Sequence, residues 1–129
     1  KQKCASCHAT ELFTDQTYRN NGILSDFTLD RGRNEISQLP DDIGKFRVPS
    51  LRNVAATAPY MHNGKFKTLE SVLDHYASGV KDTPTLDSLL RRPDGTLGIP
   101  LSAHEKAKLI AFLKTLTDEE FLRDARFAQ

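Results

Sequence analysis

The chain has 129 residues, and its 18 Lys and Arg against 17 Asp and Glu leave a net charge of +1, so charge points to no nucleic-acid surface or strongly charged partner. The length supports one ordinary domain, and no apolar run approaches the roughly eighteen residues of a membrane span. Its two cysteines, Cys4 and Cys7, stand three residues apart, which narrows them to a redox dithiol, half a zinc site or a haem anchor.

The first predicted element decides among these. Cys4-Ala5-Ser6-Cys7-His8 is C-x-x-C-H, the pattern in which two thiols add across haem vinyl groups and the next imidazole binds iron from the proximal side. On a helix the three side chains fall at i, i+3 and i+4 and share one face. A zinc site would need two more ligands from distant histidines, because no second cysteine pair exists. A thioredoxin-like dithiol would need a hydrophobic strand ahead of Cys4, and none is there. A reactive residue as early as position 4 also predicts that the chain is truncated at its N-terminus.

From about Thr14 to Lys45 the sequence is polar and rich in turn residues, among them Asn20-Asn21-Gly22 and Pro40-Asp41-Asp42, and predicts loop with a short hairpin. Phe46 to Val54 predicts an extended start and then a helical turn closed by Pro59. Thr68 is a candidate N-cap for a helix whose stripe is Leu69, Val72, Leu73 and Tyr76 and whose stop is Gly79. Tyr76 then points inward, while His75 lies beside the stripe and faces solvent or a neighbouring domain. Lys81 to Pro100 is a second polar excursion with a turn at Pro93-Asp94-Gly95. Ser102 with Glu105 is a capping box opening the last strong helix, with Leu109, Ile110, Phe112, Leu113 and Leu116 as its apolar face. Thr117 with Glu120 repeats the device and predicts a short helix from Asp118. The sum is one mainly α domain with long loops around a haem.

The block Phe46-Arg47-Val48-Pro49-Ser50-Leu51-Arg52-Asn53-Val54, followed by Thr57-Ala58-Pro59-Tyr60-Met61-His62-Asn63-Gly64, resembles the C-terminal haem domain of the bacterial di-haem cytochrome c peroxidase and MauG family. The ending Leu116-Thr117-Asp118-Glu119-Glu120-Phe121-Leu122 is similar to that of MauG-like members, and the likeness spans essentially all of residues 1–129. The resemblance implies a class I cytochrome c-like fold and a two-domain enzyme in which an N-terminal haem reacts with hydrogen peroxide. This chain would be the electron-transfer half, carrying one covalent haem c and no catalytic residue of its own. Its partners would be the N-terminal haem domain and a redox donor protein or an oxidisable protein substrate. A periplasmic location is implied with them. The absence of tryptophan leaves no indole relay inside this domain for MauG-type protein oxidation. The competing reading is a stand-alone mono-haem electron carrier with His/Met ligation; a third is a module fused to another oxidoreductase.

With His8 as the proximal ligand, elementary chemistry makes Met61, the one methionine, the first choice for the distal side, because a thioether raises the potential of an electron-transfer haem. The resemblance instead favours Tyr76, which occupies the position of the family's distal ligand, a tyrosine in MauG-like members. A phenolate favours ferric iron and higher oxidation states. The same resemblance implies that His62 lies near the haem as a hydrogen-bonding or loop-fixing residue. His75 and His104 have no expected haem role. Arg47 and Arg52 are candidate partners of haem propionates. The backbone carbonyls of Thr57 and Pro59 are implied ligands of a calcium ion between the two domains.

Overall fold

The computed structural model describes residues 3–127. Four α-helices are present among them: α1 Asn34–Ser37, α2 Leu69–Asp74, α3 Ala103–Thr115 and α4 Glu119–Arg123. Two two-residue strands, β1 Tyr18–Arg19 and β2 Phe46–Arg47, pair antiparallel with Tyr18 opposite Arg47 and Arg19 opposite Phe46. Helix is therefore the main regular structure, as expected, but only α3 exceeds two turns.

The local signals act where they were read. Thr68 caps α2 by accepting from the Ser71 N–H at 3.1 Å. Ser102 and Glu105 close a reciprocal capping box on α3, with Ser102 N–H to Glu105 Oε2 at 2.8 Å. For α4 the cap is Asp118, which accepts from Phe121 N–H at 2.9 Å, rather than Thr117. A carboxylate one residue further along is the better acceptor, and it adds charge of the right sign at a helix N-terminus.

The hairpin expected between Thr14 and Lys45 does not form. The strand at Tyr18 crosses to Phe46, with α1 and a short 3₁₀ turn at Pro40–Asp42 in the intervening loop. This pairing belongs to a wider clamp. Thr14 Oγ1 donates to the Val48 carbonyl at 2.7 Å, Ser50 Oγ to Leu12 O at 2.6 Å, and Arg52 Nη2 to Glu11 O at 3.1 Å. The segment 46–52 thus runs along the loop that follows the C-x-x-C-H turn and holds it from behind.

Apolar burial is divided in two. Leu69 and Leu73 of α2 pack with Ile110 of α3, while Val80, Leu86 and Leu90 form a second cluster with Tyr76, Leu97 and Ile99 half-buried against it. The side chain excluded most completely from solvent is polar, Asn20 at 2 %. It meets its full hydrogen-bonding demand, donating to Thr83 and Thr85 hydroxyls at 3.0 and 2.9 Å and accepting from Gly22 N–H at 2.9 Å.

Candidate functional site

Residues Lys3–Ser6 make a single 3₁₀ turn, tighter than the expected α-helix, and Cys7 N–H and His8 N–H both return to the Cys4 carbonyl at 3.2 and 2.9 Å. The doubled bond winds both thiols and the imidazole onto one turn. His8 Nδ1–H donates to the Phe13 carbonyl at 3.0 Å, so the ring carries its proton on Nδ1 and presents Nε2 as a lone-pair donor. Phe13 holds that carbonyl in place from a left-handed conformation, φ 52°. Burial pushes both thiols up, although Arg19 opposes this at Cys7. That is the reverse of the lowered pKa a redox-active dithiol needs. Among the described residues no group of three or more His, Cys, Asp or Glu side chains is placed to hold a metal ion, so the zinc reading gains no donors.

Tyr76 stands just beyond α2. At the end of α2 the helix widens into a π-turn over His75–Gly79. Such a turn sweeps less than the 100° per residue of an α-helix, so neighbouring side chains stay on one side. His75 is consequently buried, 5 % exposed, which corrects the expectation that it faces solvent or another domain. Its Nε2–H donates to the Asn21 carbonyl at 3.0 Å, and its ring meets Tyr76 edge-on at 5.4 Å. Gly98 keeps the widened turn in place: its φ is +86°, a Cβ there would lie 2.5 Å from the Tyr76 carbonyl, and Ile99 N–H donates to that carbonyl at 2.7 Å.

Burial raises the Tyr76 phenol pKa, hydrogen bonding from the Asn21 side chain opposes it, and the Cys7, Cys4 and Asp87 charges add to the rise. The phenol therefore senses both cysteines of the turn. Met61 reaches Asn21 from another loop. Its loop is closed by Tyr60 N–H to Phe66 O at 2.7 Å, and Met61 takes φ +70°, a conformation that costs a non-glycine residue about 1 kcal/mol. Asn21 Nδ2 donates to its sulfur at 3.3 Å.

The remaining candidates sit further out. His62 stacks on Phe46 with ring centroids 3.5 Å apart and has its Nε2 3.6 Å from Asp30, a loop-fixing arrangement. Burial lowers its pKa, and Asp30 resists this. Arg47 donates to Gln16 Oε1 at 3.1 Å, and Arg52 to the Glu11 carbonyl, so each has taken a partner on the clamp. The cation nearer the turn is Arg19, which the sequence did not mark out: it bridges Asp15 and Asp87, each at 2.7 Å, and senses Cys7. Thr57 turns its hydroxyl and N–H back to the Val54 carbonyl, and the bond before Pro59 is cis. His104 is exposed on α3, as expected.

The donors present fit a covalently held haem. A one-turn pair of protonated thiols, an imidazole with Nε2 left for iron, and a tyrosine whose phenol senses both thiols are the chemistry such a group needs. His8, with Tyr76 or Met61 opposite, could hold the iron, and Cys4 and Cys7 the macrocycle.

No family model matches the chain. It is 37% identical to the methylamine utilization protein MauG of Methylorubrum extorquens over 92% of this chain and 32% of that protein. It is 42% identical to the cytochrome c peroxidase IdrP2 of Denitromonas iodatirespirans over 92% of this chain and 37% of that protein. A solved MauG-like protein associated with microbial copper homeostasis superposes with a TM-score of 0.78 at 38% identity, covering 98% of this chain and 46% of that one. The diheme peroxidase BthA of Burkholderia thailandensis does so with a TM-score of 0.70 at 25% identity, over 95% and 40%. The chain spans about a third of the length of these curated relatives.

Proposed function

The chain belongs, over the part of their length that it spans, to the family of MauG and the di-haem cytochrome c peroxidases, and from that premise we propose that it is their C-terminal, electron-transfer haem domain. In the whole protein it would pass electrons to, or share oxidising equivalents with, an N-terminal haem that reduces hydrogen peroxide. The overall reaction is then peroxide reduction or a MauG-like oxidation driven by peroxide. A redox donor protein or an oxidisable protein residue would supply the electrons. The fold is class I cytochrome c-like, and the location periplasmic.

The observation that carries this reading is the Cys4–His8 turn, whose imidazole keeps its proton on Nδ1 toward the Phe13 carbonyl and leaves Nε2 as a donor, with Tyr76 the proposed second ligand. When bound, haem c supplies a one-electron ferric/ferrous couple; the residues decide its poise. Phe13 O fixes the His8 tautomer and strengthens the imidazole as a donor. Cys4 and Cys7 would tether the macrocycle covalently. Tyr76, as an anionic oxygen donor, favours the ferric state, so this domain holds oxidising power rather than ferrying electrons at ordinary cytochrome potentials. Arg47 and Arg52, both at the clamp, are retained as propionate partners, and the carbonyls of Thr57 and Pro59 as ligands of a calcium ion shared with the other domain.

The test is a pair of variants of the haem-loaded protein. Tyr76→Phe is expected to abolish phenolate-to-iron charge-transfer features and raise the reduction potential, while Met61→Leu leaves the ferric spectrum unchanged. A thioether-to-iron band that Met61→Leu removes would instead establish the second reading, a His/Met electron carrier. That reading is kept because the Met61 sulfur bonds Asn21, whose carbonyl holds the His75 ring that packs edge-on against Tyr76.

A further inference from the structure

The loop that follows the C-x-x-C-H turn closes back on it at two points. His8 Nδ1–H donates to the Phe13 carbonyl at 3.0 Å, and Asp15 N–H donates to the Cys7 carbonyl at 2.8 Å. Asp15 is therefore fixed beside the pair of residues that would tether the haem and bind its iron. One of its carboxylate oxygens serves its own turn, where Oδ1 accepts the Thr17 N–H at 2.9 Å and the Thr17 hydroxyl at 2.8 Å. The other takes both Nε and Nη2 of Arg19, at 3.1 and 2.7 Å. Arg19 Nη1 then reaches the opposite way, to Asp87 Oδ2 at 2.7 Å. Asp87 is anchored as firmly: its N–H donates to the Asn20 carbonyl at 3.0 Å, and its Oδ1 accepts the Leu89 N–H at 2.8 Å. Arg19 itself stands in β1, in register with Phe46. All three side chains are half-buried, so salt screens their charges less than those of surface pairs.

We infer that Arg19 is a positioning residue whose charge sets the reduction potential of this domain: it holds Asp15 and Asp87 together beside the Cys7–His8 turn and offsets one of their two negative charges. Taking up an electron makes an iron site more negative by one charge, so a fixed anion nearby opposes reduction and a fixed cation favours it. The guanidinium is charged at every working pH, and its fork takes two carboxylates at once. The cluster as a whole keeps one negative charge in excess, which favours ferric iron whichever side chain stands on the distal side. Arg19 limits that preference without touching the iron. A unit charge about 10 Å from a redox centre, at an effective dielectric constant of about 20, changes the oxidised-to-reduced ratio by about tenfold, or about 59 mV for one electron. The inference rests on the haem attachment proposed for Cys4 and Cys7, and its test separates the two ideas.

The test is a spectroelectrochemical titration of the haem-loaded protein in wild type, Arg19→Gln, Arg19→Lys and Asp87→Asn. Arg19→Gln leaves two carboxylates without their cation and is expected to lower the potential, raising the ferric-to-ferrous ratio at a fixed applied potential by about tenfold. Asp87→Asn leaves a neutral Arg19–Asp15 pair and is expected to move the ratio by a similar factor in the opposite direction. Arg19→Lys keeps the charge and loses the fork, so its potential stays near that of the wild type; with Asp87→Asn it gives a reading if Arg19→Gln does not fold. Arg19→Gln and Asp87→Asn both break the same bridge, and a purely structural clamp would therefore shift them in one direction or not at all. Either of those results, or an Arg19→Lys variant that behaves like Arg19→Gln, overturns the inference while leaving the haem in place. A wild-type chain that carries no covalent haem on a stained denaturing gel overturns the haem reading and the role of Arg19 together.

Discussion

At the scale of single residues, one asparagine anchors a loop. Asn20 is structural: buried in the domain with all its donors and its acceptor used, it cannot be truncated without stranding the buried Thr83 hydroxyl and the Gly22 N–H, while the half-buried Thr85 hydroxyl keeps its bond to the Ile43 carbonyl at 2.6 Å. Asn20→Ala is expected to cost about 2–4 kcal/mol, the sum of lost hydrogen bonds and desolvated partners. Chemical denaturation of the haem-loaded protein measures it. A cost within about 0.5 kcal/mol, the range of surface substitutions, would mean that the loop is not anchored through this side chain.

At the scale of elements, the site depends on a helix that changes its winding where Tyr76 begins. The π-turn needs Gly98, whose left-handed φ and contact with the Tyr76 carbonyl leave no room for a Cβ. Gly98→Ala is therefore expected to destabilise by about 2 kcal/mol or more and to displace Tyr76, seen as an earlier unfolding midpoint and, under the ligation proposed for Tyr76, a shifted phenolate-to-iron band. Thr68→Ala, at the far end of the same helix, removes only the cap and should cost about 1 kcal/mol with the spectrum intact. The contrast between the two separates the element's stability from its aim. It also marks how far local pattern carries. The Thr68 cap, the Ser102–Glu105 box and the Cys4–His8 turn are written within a few residues of themselves, so they were legible. The inward face of Tyr76 was legible from the 3.6-residue stripe, but the burial of His75 was not, because a wider turn has no compositional mark. The partnership of Tyr18 with Phe46, and of Asn21 with Met61 and His75, joins segments that only tertiary structure brings together. Asn20-Asn21-Gly22 was read as turn chemistry, and nothing in its spacing points to residues forty or more positions away.

At the scale of the whole molecule, the question is what joins two small apolar clusters into one domain. Part of the answer is ionic. Arg19 ties the loop after the C-x-x-C-H turn to Asp87, across sixty-eight residues, while Asp15 completes the bridge. Burial acts to raise the Asp15 pKa, but bonds from Thr17 and Arg19 outweigh it and bring it from 3.8 to about 2. A carboxylate with a lowered folded pKa contributes stability that is complete above 3.8 and lost as pH falls toward 2. Asp15→Asn is therefore expected to lower stability at neutral pH and to flatten the loss of stability between about pH 4 and pH 2. Denaturation midpoints taken across that window check both. The rest of the answer lies in the covalent group proposed above. Cys4 and Cys7 sit on the same turn as His8, Tyr76 packs on the Val80–Leu90 cluster, and Tyr60 and Val54 pack on the Leu69–Ile110 cluster, so a macrocycle held by that turn and by Tyr76 would contact both halves. Cys4→Ser/Cys7→Ser should then abolish haem staining on a denaturing gel and also lower the unfolding midpoint and its cooperativity, because a ligand bound only by the folded state stabilises it by mass action and a covalent one cannot dissociate. A double variant that lacks haem yet unfolds at the wild-type midpoint in one sharp transition would show that the two clusters already cooperate through polypeptide alone.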